Sequence, residues 1–165
     1  KASIQDKLTK EQKERAKQLQ SDKLLDAAIA NATMDVPQVM YDNKINQMMR
    51  EFEENVSRQG LTLDIYCKYM GTTKEDLKEN FRETSEKSVR ARLLLEQIAK
   101  TEGLTVSEEE LKKEIGRFGE SYGIDAEKMI EMFQEEDKSA LEEDMLVRAA
   151  LKLIEESANE VEKAE

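Results

Sequence analysis

The chain has 165 residues, a formal net charge of −11, 38% charged and 38% apolar side chains, and no histidine or tryptophan. The lack of histidine removes the imidazole base, the histidine-bearing triad and any histidine-containing metal site, and with them most familiar catalytic designs. One proline and six glycines leave little punctuation, so the composition predicts an all-α domain, large enough for a real core.

Charge is uneven along the chain. Residues 1–100 carry 18 basic and 17 acidic side chains, whereas residues 101–165 carry 8 and 20. An acidic second half argues against nucleic-acid binding, which needs clustered lysine and arginine. The plain reading of the acidity is a well-solvated helical surface. No apolar run reaches the length of a membrane span. The chain starts at Lys1 rather than Met, as expected of a fragment or processed product, in which a removed signal leaves no trace. A single cysteine, Cys67, forms no internal disulfide and fits a reducing, cytoplasmic compartment.

In chain order, residues 4–32 read as a helix with Ile4, Leu8, Ala16 and Leu19 ahead of a denser cluster of Leu24, Leu25, Ala28, Ile29 and Ala32. Between Thr9 and Gln18 only Ala16 is apolar, so that stretch is expected to be solvated on all sides. It suits either a connector from a preceding domain or a frayed helix held by pairs such as Glu11–Arg15. Asn31 to Pro37 breaks the pattern, and Pro37 suits the start of the next helix. That helix carries Tyr41, Ile45, Met48 or Met49, Phe52 and Val56, and Gly60 stops it. A short helix follows, capped by Thr62 and bearing Leu63, Tyr66, Tyr69 and Met70 before Gly71.

Thr72 to Gly103 is the longest uninterrupted helical pattern. Thr72 or Thr73 is a candidate cap, and Glu75 lies at capping-box spacing from Thr72. Leu77, Phe81, Val89 and Ile98 share a face, while Leu93, Leu94 and Leu95 point in three directions, as in a helix surrounded by others. Such a helix would run about 45 Å, which predicts an elongated shape. After Gly103, Ser107 and Glu110 form a second capping box ahead of a stripe of Leu111, Ile115, Phe118 and Tyr122. Gly123 ends it. Asp125 caps a shorter helix with Ala126, Met129, Ile130 and Phe133 on one side and Met132 off it. Asp137 or Ser139 begins the last helix, striped by Leu141, Met145, Ala149 and Leu153, with Leu146, Ala150 and Ile154 alongside. Residues 158–165 read as a frayed tail.

No enzyme is expected in this chain: no glycine-rich phosphate loop is present, and Cys67 among Ile65, Tyr66 and Tyr69 reads as a buried, inert thiol. Neither a catalytic residue nor a metal or other cofactor is assigned. What stands out is methionine, with eight residues against four each of phenylalanine and tyrosine. Met adapts to apolar partners of many shapes, although it also fills cores. Met48 beside Met49, and Met132 off the Met129–Phe133 stripe, imply that one of each pair is displayed. The candidates for an apolar contact surface are Met48, Met49, Phe52, Met70, Phe118, Tyr122, Met129, Met132 and Phe133.

The ordered pattern Asp35-Val36-Pro37, Ile45, Met48-Met49, Phe52, Gln59-Gly60-Leu61, Leu63 and Tyr66 resembles the C-terminal chaperone domain of bacterial trigger factor. The resemblance continues through Thr73, Leu77, Phe81, Val89, Leu94-Leu95-Glu96, Ile98-Ala99, Glu102-Gly103, Val106, Glu108-Glu109-Glu110 and Ile115. It implies two helical arms forming a cradle for nascent and unfolded chains, without ATP. Residues 1–34 would be the connecting helix, 35–102 the first arm, 103–157 the second arm and its return, and 158–165 a tail. The family's ribosome-binding and peptidyl-prolyl isomerase segments have no counterpart here, so ribosome contact and isomerisation are not expected of this chain. A homodimer stays open. The alternatives are a helical adaptor binding one folded partner through an acidic face, and the helical domain of a periplasmic chaperone of the SurA type.

Overall fold

Short polar residues at several segment starts decide where the helices begin. A computed structural model describes residues 2–158, and these form α1 (Ala2–Asn31), α2 (Gln38–Arg58), α3 (Leu63–Met70), α4 (Lys74–Thr101), α5 (Glu108–Ser121), α6 (Ala126–Met132) and α7 (Glu135–Ser157). No strand occurs among the described residues, and the chain is all-α. The tail expected beyond Ala158 lies outside them.

Thr62 caps α3 by accepting from the Ile65 N–H, and Ser107 with Glu110 forms the full capping box on α5. The cap of α4 differs from the expected Thr72–Glu75 pair. Thr73 and Asp76 make it, with the Asp76 carboxylate accepting from the Thr73 N–H at 2.9 Å and from its hydroxyl at 2.7 Å. These bonds hold the Asp76 pKa below its ordinary value, the side-chain bond contributing most. The last helix starts at Glu135, not at Asp137 or Ser139, because Asp137 reaches back to accept from the Gln134 N–H. Pro37 stands just ahead of α2 with extended ψ.

The end of α2 illustrates how the helices stop. Gly60 takes φ +79°, and the N–H groups of Gly60 and Leu61 donate to the carbonyls of Ser57 and Val56, which closes a Schellman motif.

The longest helix is α1 with 30 residues, ahead of α4 with 28, a reversal of the expectation. Residues 11–20 of α1 are all exposed, so its length owes little to burial there. Helix formers and i,i+4 polar pairs such as Gln18–Asp22 at 3.2 Å sustain it instead. Leu19, expected in the apolar stripe, is exposed.

The chain divides into two compact units: an inserted unit, Asn31–Leu93, and a flanking unit, Lys1–Ala30 with Leu94–Glu165. The division falls within α4. In the inserted unit Ile45 and Met49 of α2 pack with Leu63 and Cys67 of α3, and Phe52, Tyr66, Leu77 and Phe81 close around them. In the flanking unit Leu95 and Ala99 of α4 pack on Ala150 of α7, with Leu25, Leu146 and Ile154 around them. On α7 Ala150 is buried, with Leu146 and Ile154 half-buried beside it, while Ala149 of the expected main stripe is exposed.

α5 and α6 meet through glycine. A Cβ on Gly119 would stand 2.9 Å from the Ile124 carbonyl oxygen and 3.0 Å from the Met129 Cβ, and one on Gly116 would stand 3.3 Å from the Ala126 Cβ. Those distances leave no room for larger residues, so the pair sets how closely α6 lies on α5. Ile115, 1% exposed, fills the space beneath.

Candidate functional site: an apolar groove between α5, α6 and α7

The nine candidate residues separate into three groups. Met49 and Met129 are buried, at 9% and 7% exposure, and belong to the cores of their units. Their place in a displayed surface is corrected: each faces inward at the α-helical spacing of its own core stripe, Met49 four after Ile45 and Met129 opposite Gly119. Phe52 is half-buried and also serves the core, edge-on to Tyr66 at 5.1 Å and to Phe81 at 5.9 Å between centroids. Met48 and Phe133 are half-buried, and Met70, Phe118, Tyr122 and Met132 are exposed.

Phe118, Met129, Met132 and Phe133 come together in the flanking unit. They line a groove of about 810 Å³ whose α5 wall also carries Glu114, Arg117 and Ser121, and whose α7 wall carries Asp137, Ala140, Leu141, Asp144 and Arg148. Phe118 is the hub, with Phe133 edge-on at 6.2 Å and Tyr122 tilted against it at 5.1 Å. Glycine packing explains why the rings lie here: with α6 drawn tight against α5, bulky side chains fit only at the margin.

The polar part of the groove has no counterpart in the sequence pattern. Glu114 of α5 accepts from Arg148 of α7 at 2.7 Å and faces Arg117 at 3.5 Å. The Arg148 hydrogen bond is the main reason the Glu114 carboxyl titrates below its ordinary value, and burial opposes it. Both arginines are thus committed to one carboxylate, which ties α5 to α7. Sequence spacing gives no warning of a pair 34 residues apart.

A second displayed surface, in the inserted unit, extends beyond Met70, its one residue among the nine candidates. α3 turns Leu63 and Cys67 inward and Ile65 and Tyr69 outward, and Tyr69 is 89% exposed. The composition of α3 carries the signal: six of its eight residues are apolar, more than one face of so short a helix can bury. Val39 and Leu61 are also exposed. Among the described residues no cluster of metal-ligating side chains occurs, and no helix is long and apolar enough to cross a membrane.

The family signature described as "Bacterial trigger factor protein (TF) C-terminus" matches residues 1–156. The chain belongs to the bacterial trigger factor family. It is 38% identical over 161 residues to trigger factor of Anoxybacillus flavithermus, covering 98% of this chain and 37% of that protein. Trigger factor of Bacillus thuringiensis is 35% identical over 158 residues, covering 96% and 37%. The chain thus spans a little over a third of the length of these trigger factors. A solved structure of trigger factor domains from Thermotoga maritima superposes with a TM-score of 0.62 at 19% identity, covering 84% of this chain and 81% of that one. At that identity the likeness speaks for the helical fold.

Proposed function

We propose that this chain is an ATP-independent chaperone segment that holds unfolded or nascent polypeptides through displayed apolar side chains, preventing their aggregation. One observation carries the reading: on a chain with 38% charged residues, Phe118 and Met132 lie exposed on one groove, with Phe133 beside them. Chains of this kind rarely keep contiguous apolar surface unless it binds something. Membership of the trigger factor family supports the general kind of partner.

Within that reading Phe118, Met132 and Phe133 form the principal contact surface, with Tyr122 at its edge. Met70, with Ile65 and Tyr69, forms a second contact surface in the inserted unit. Thioether and aromatic groups accept many side chains weakly, so binding is broad and no single contact dominates. The flanking unit carries 16 basic and 26 acidic residues, which favours clients with basic segments and keeps a loaded complex soluble. No catalytic step is assigned to these residues, and the site of action is the cytoplasm.

The test is suppression of aggregation of two unrelated denatured proteins by the chain and by the double variant Phe118→Ser, Met132→Ser. Helicity should be retained and protection reduced for both clients. Undiminished protection with retained helicity rejects the surface. Preference for one folded partner over both denatured proteins favours an adaptor instead.

A further inference from the structure

The eight methionines divide sharply by access to solvent. Met49 and Met129 are core side chains, whereas Met70 and Met132 are 58% and 65% exposed, and the other four are half-buried. The inserted unit therefore holds one methionine sealed in its core and one open to water, and so does the flanking unit. On α6 the two stand three residues apart, Met129 against Gly119 and Met132 exposed. Both line the groove, and Met132 is the open thioether of the pair.

Reactivity toward oxidants follows that access. A thioether has no proton to lose, so it needs no neighbouring base or cation to activate it, unlike a cysteine. Contact with the oxidant decides. Hydrogen peroxide is small and neutral, so the acidic flanking unit does not repel it. The sulfur lone pair attacks one peroxide oxygen, the O–O bond breaks and an S–O bond forms. The departing hydroxide takes the proton of the transferred oxygen and leaves as water. Sulfur loses two electrons and peroxide gains them. Phe118, Tyr122 and Phe133 do not react with peroxide in this way, so at the groove the reaction falls on Met132.

The product is a polar acceptor in place of an apolar side chain. On Met70 or Met132 the sulfoxide oxygen stays hydrated while the surface is empty. It must give up that water, with no donor in return, when an apolar group covers it. On Met49 or Met129 the same oxygen would be sealed inside a core and would loosen it. Exposure thus separates a change of surface from damage to the fold. Cys67 is buried and this chain has no second cysteine, so it holds no thiol pair to reverse the reaction. Reversal falls to an external dithiol reductase, which converts the sulfoxide and two thiols into thioether, disulfide and water.

We propose that Met132 and Met70 are sites of reversible oxidation by peroxide, and that their sulfoxides lower client binding at the two displayed surfaces while both cores stay intact. The choice of sites rests on exposure, and the effect on binding rests on the client-binding reading of those surfaces.

The test treats the 165-residue chain with hydrogen peroxide and removes the oxidant by gel filtration before any client is added. Peptide mass spectrometry over time should find Met132 and Met70 oxidised at least about tenfold faster than Met49 and Met129, which react only when their cores open. At that stage circular dichroism and the thermal midpoint should be unchanged. Anisotropy titration with a labelled, permanently unfolded protein should show binding weakened on the order of fivefold. A methionine sulfoxide reductase with dithiothreitol should restore it. Each variant is compared with itself before and after peroxide, and in Met70→Leu, Met132→Leu peroxide should weaken binding no further. Met132→Leu alone serves if the double variant fails to fold.

Oxidation of Met49 or Met129 as fast as that of Met132 overturns the choice of sites. Equal weakening of the leucine variant and the unaltered chain by peroxide overturns the role of these two sulfurs, as does a reductase that removes the sulfoxides without restoring binding. Selective oxidation with undiminished binding overturns the proposal as well. The Phe118→Ser, Met132→Ser variant then separates the two readings: reduced protection in that variant keeps the client-binding reading, and undiminished protection ends both.

Discussion

The inserted and flanking units use similar materials to opposite ends. Each pairs a longer helix with a short apolar one, α2 with α3 and α5 with α6, and each gathers three aromatic rings. In the inserted unit Phe52, Tyr66 and Phe81 meet against the core of Ile45, Met49, Leu63 and Cys67. In the flanking unit Phe118, Tyr122 and Phe133 meet at a surface groove. The difference traces to the residue at the helix contact. α2 meets α3 through large side chains that enclose rings, whereas Gly116 and Gly119 bring α6 against α5 and leave the rings at the edge. Charge follows the same division, with 10 basic and 11 acidic residues in the inserted unit against 16 and 26 in the flanking one. Aromatic content alone therefore does not mark a displayed surface. What matters is whether the helix packing leaves room for the rings.

The largest expected effect tests whether the units are separate in energy as well as in packing. Ile115→Ala removes a side chain that is 1% exposed and should destabilise the flanking unit by about 2–5 kcal/mol. Ile45→Ala should do the same to the inserted unit. Hydrogen exchange read unit by unit checks this, and equal loss of protection in both units from either change would erase the distinction.

Gly119→Ala should cost about 1–3 kcal/mol, because its new methyl meets a backbone carbonyl that has no rotamer to escape into. The same experiment should find α6 loosened, and NMR of the aromatic rings should find Phe118 and Phe133 no longer packed edge-on. Unchanged ring packing would refute the account of why the rings lie outside.

Next come the two methionines of α6. Met129→Ser should cost about 2–5 kcal/mol, since its side chain is core. Met132→Ser should stay within about 0.5 kcal/mol by urea denaturation and yet reduce client protection, since 65% of that residue is exposed. Equal costs would remove the division between core and display.

The smallest effect is in pH. Glu114 has its pKa lowered by Arg148, so its contribution is fully present above the ordinary carboxylate range and is lost as pH falls through its depressed value. Glu110, lowered by the backbone and hydroxyl of Ser107, adds loss of the same sign to the flanking unit. Asp76 does so in the inserted unit. Thermal midpoints taken from the ordinary carboxylate range downward should fall, and Glu114→Gln should flatten part of that fall. A wild-type midpoint that rises on acidification would mean that relief of the flanking unit's acidic repulsion outweighs these bonds.

Much of the helical framework is legible in local pattern. Glycine stops at Gly60, Gly71, Gly103 and Gly123, and caps at Thr62, Ser107 and Asp125, depend on neighbours within a few residues. Local pattern does not choose between Thr72 and Thr73, because Glu75 and Asp76 offer two registers of one motif. Periodicity also implies that Met48 and Met49 do not share a face, and Met49 is the buried one. Beyond that it runs out. Met129 and Met132 sit three apart on a helix of seven residues, and spacing alone does not say which way so short a helix rolls.

By itself the sequence determined the all-α class, most of the helix ends and the excess of apolar side chains over what these helices can bury, because each follows from local preference and composition. Only the tertiary structure decided which of those side chains are displayed. Burial is a property of pairs of elements, and the deciding contacts join residues that local pattern does not relate: Gly119 with Met129, Leu95 with Ala150, and Glu114 with Arg148.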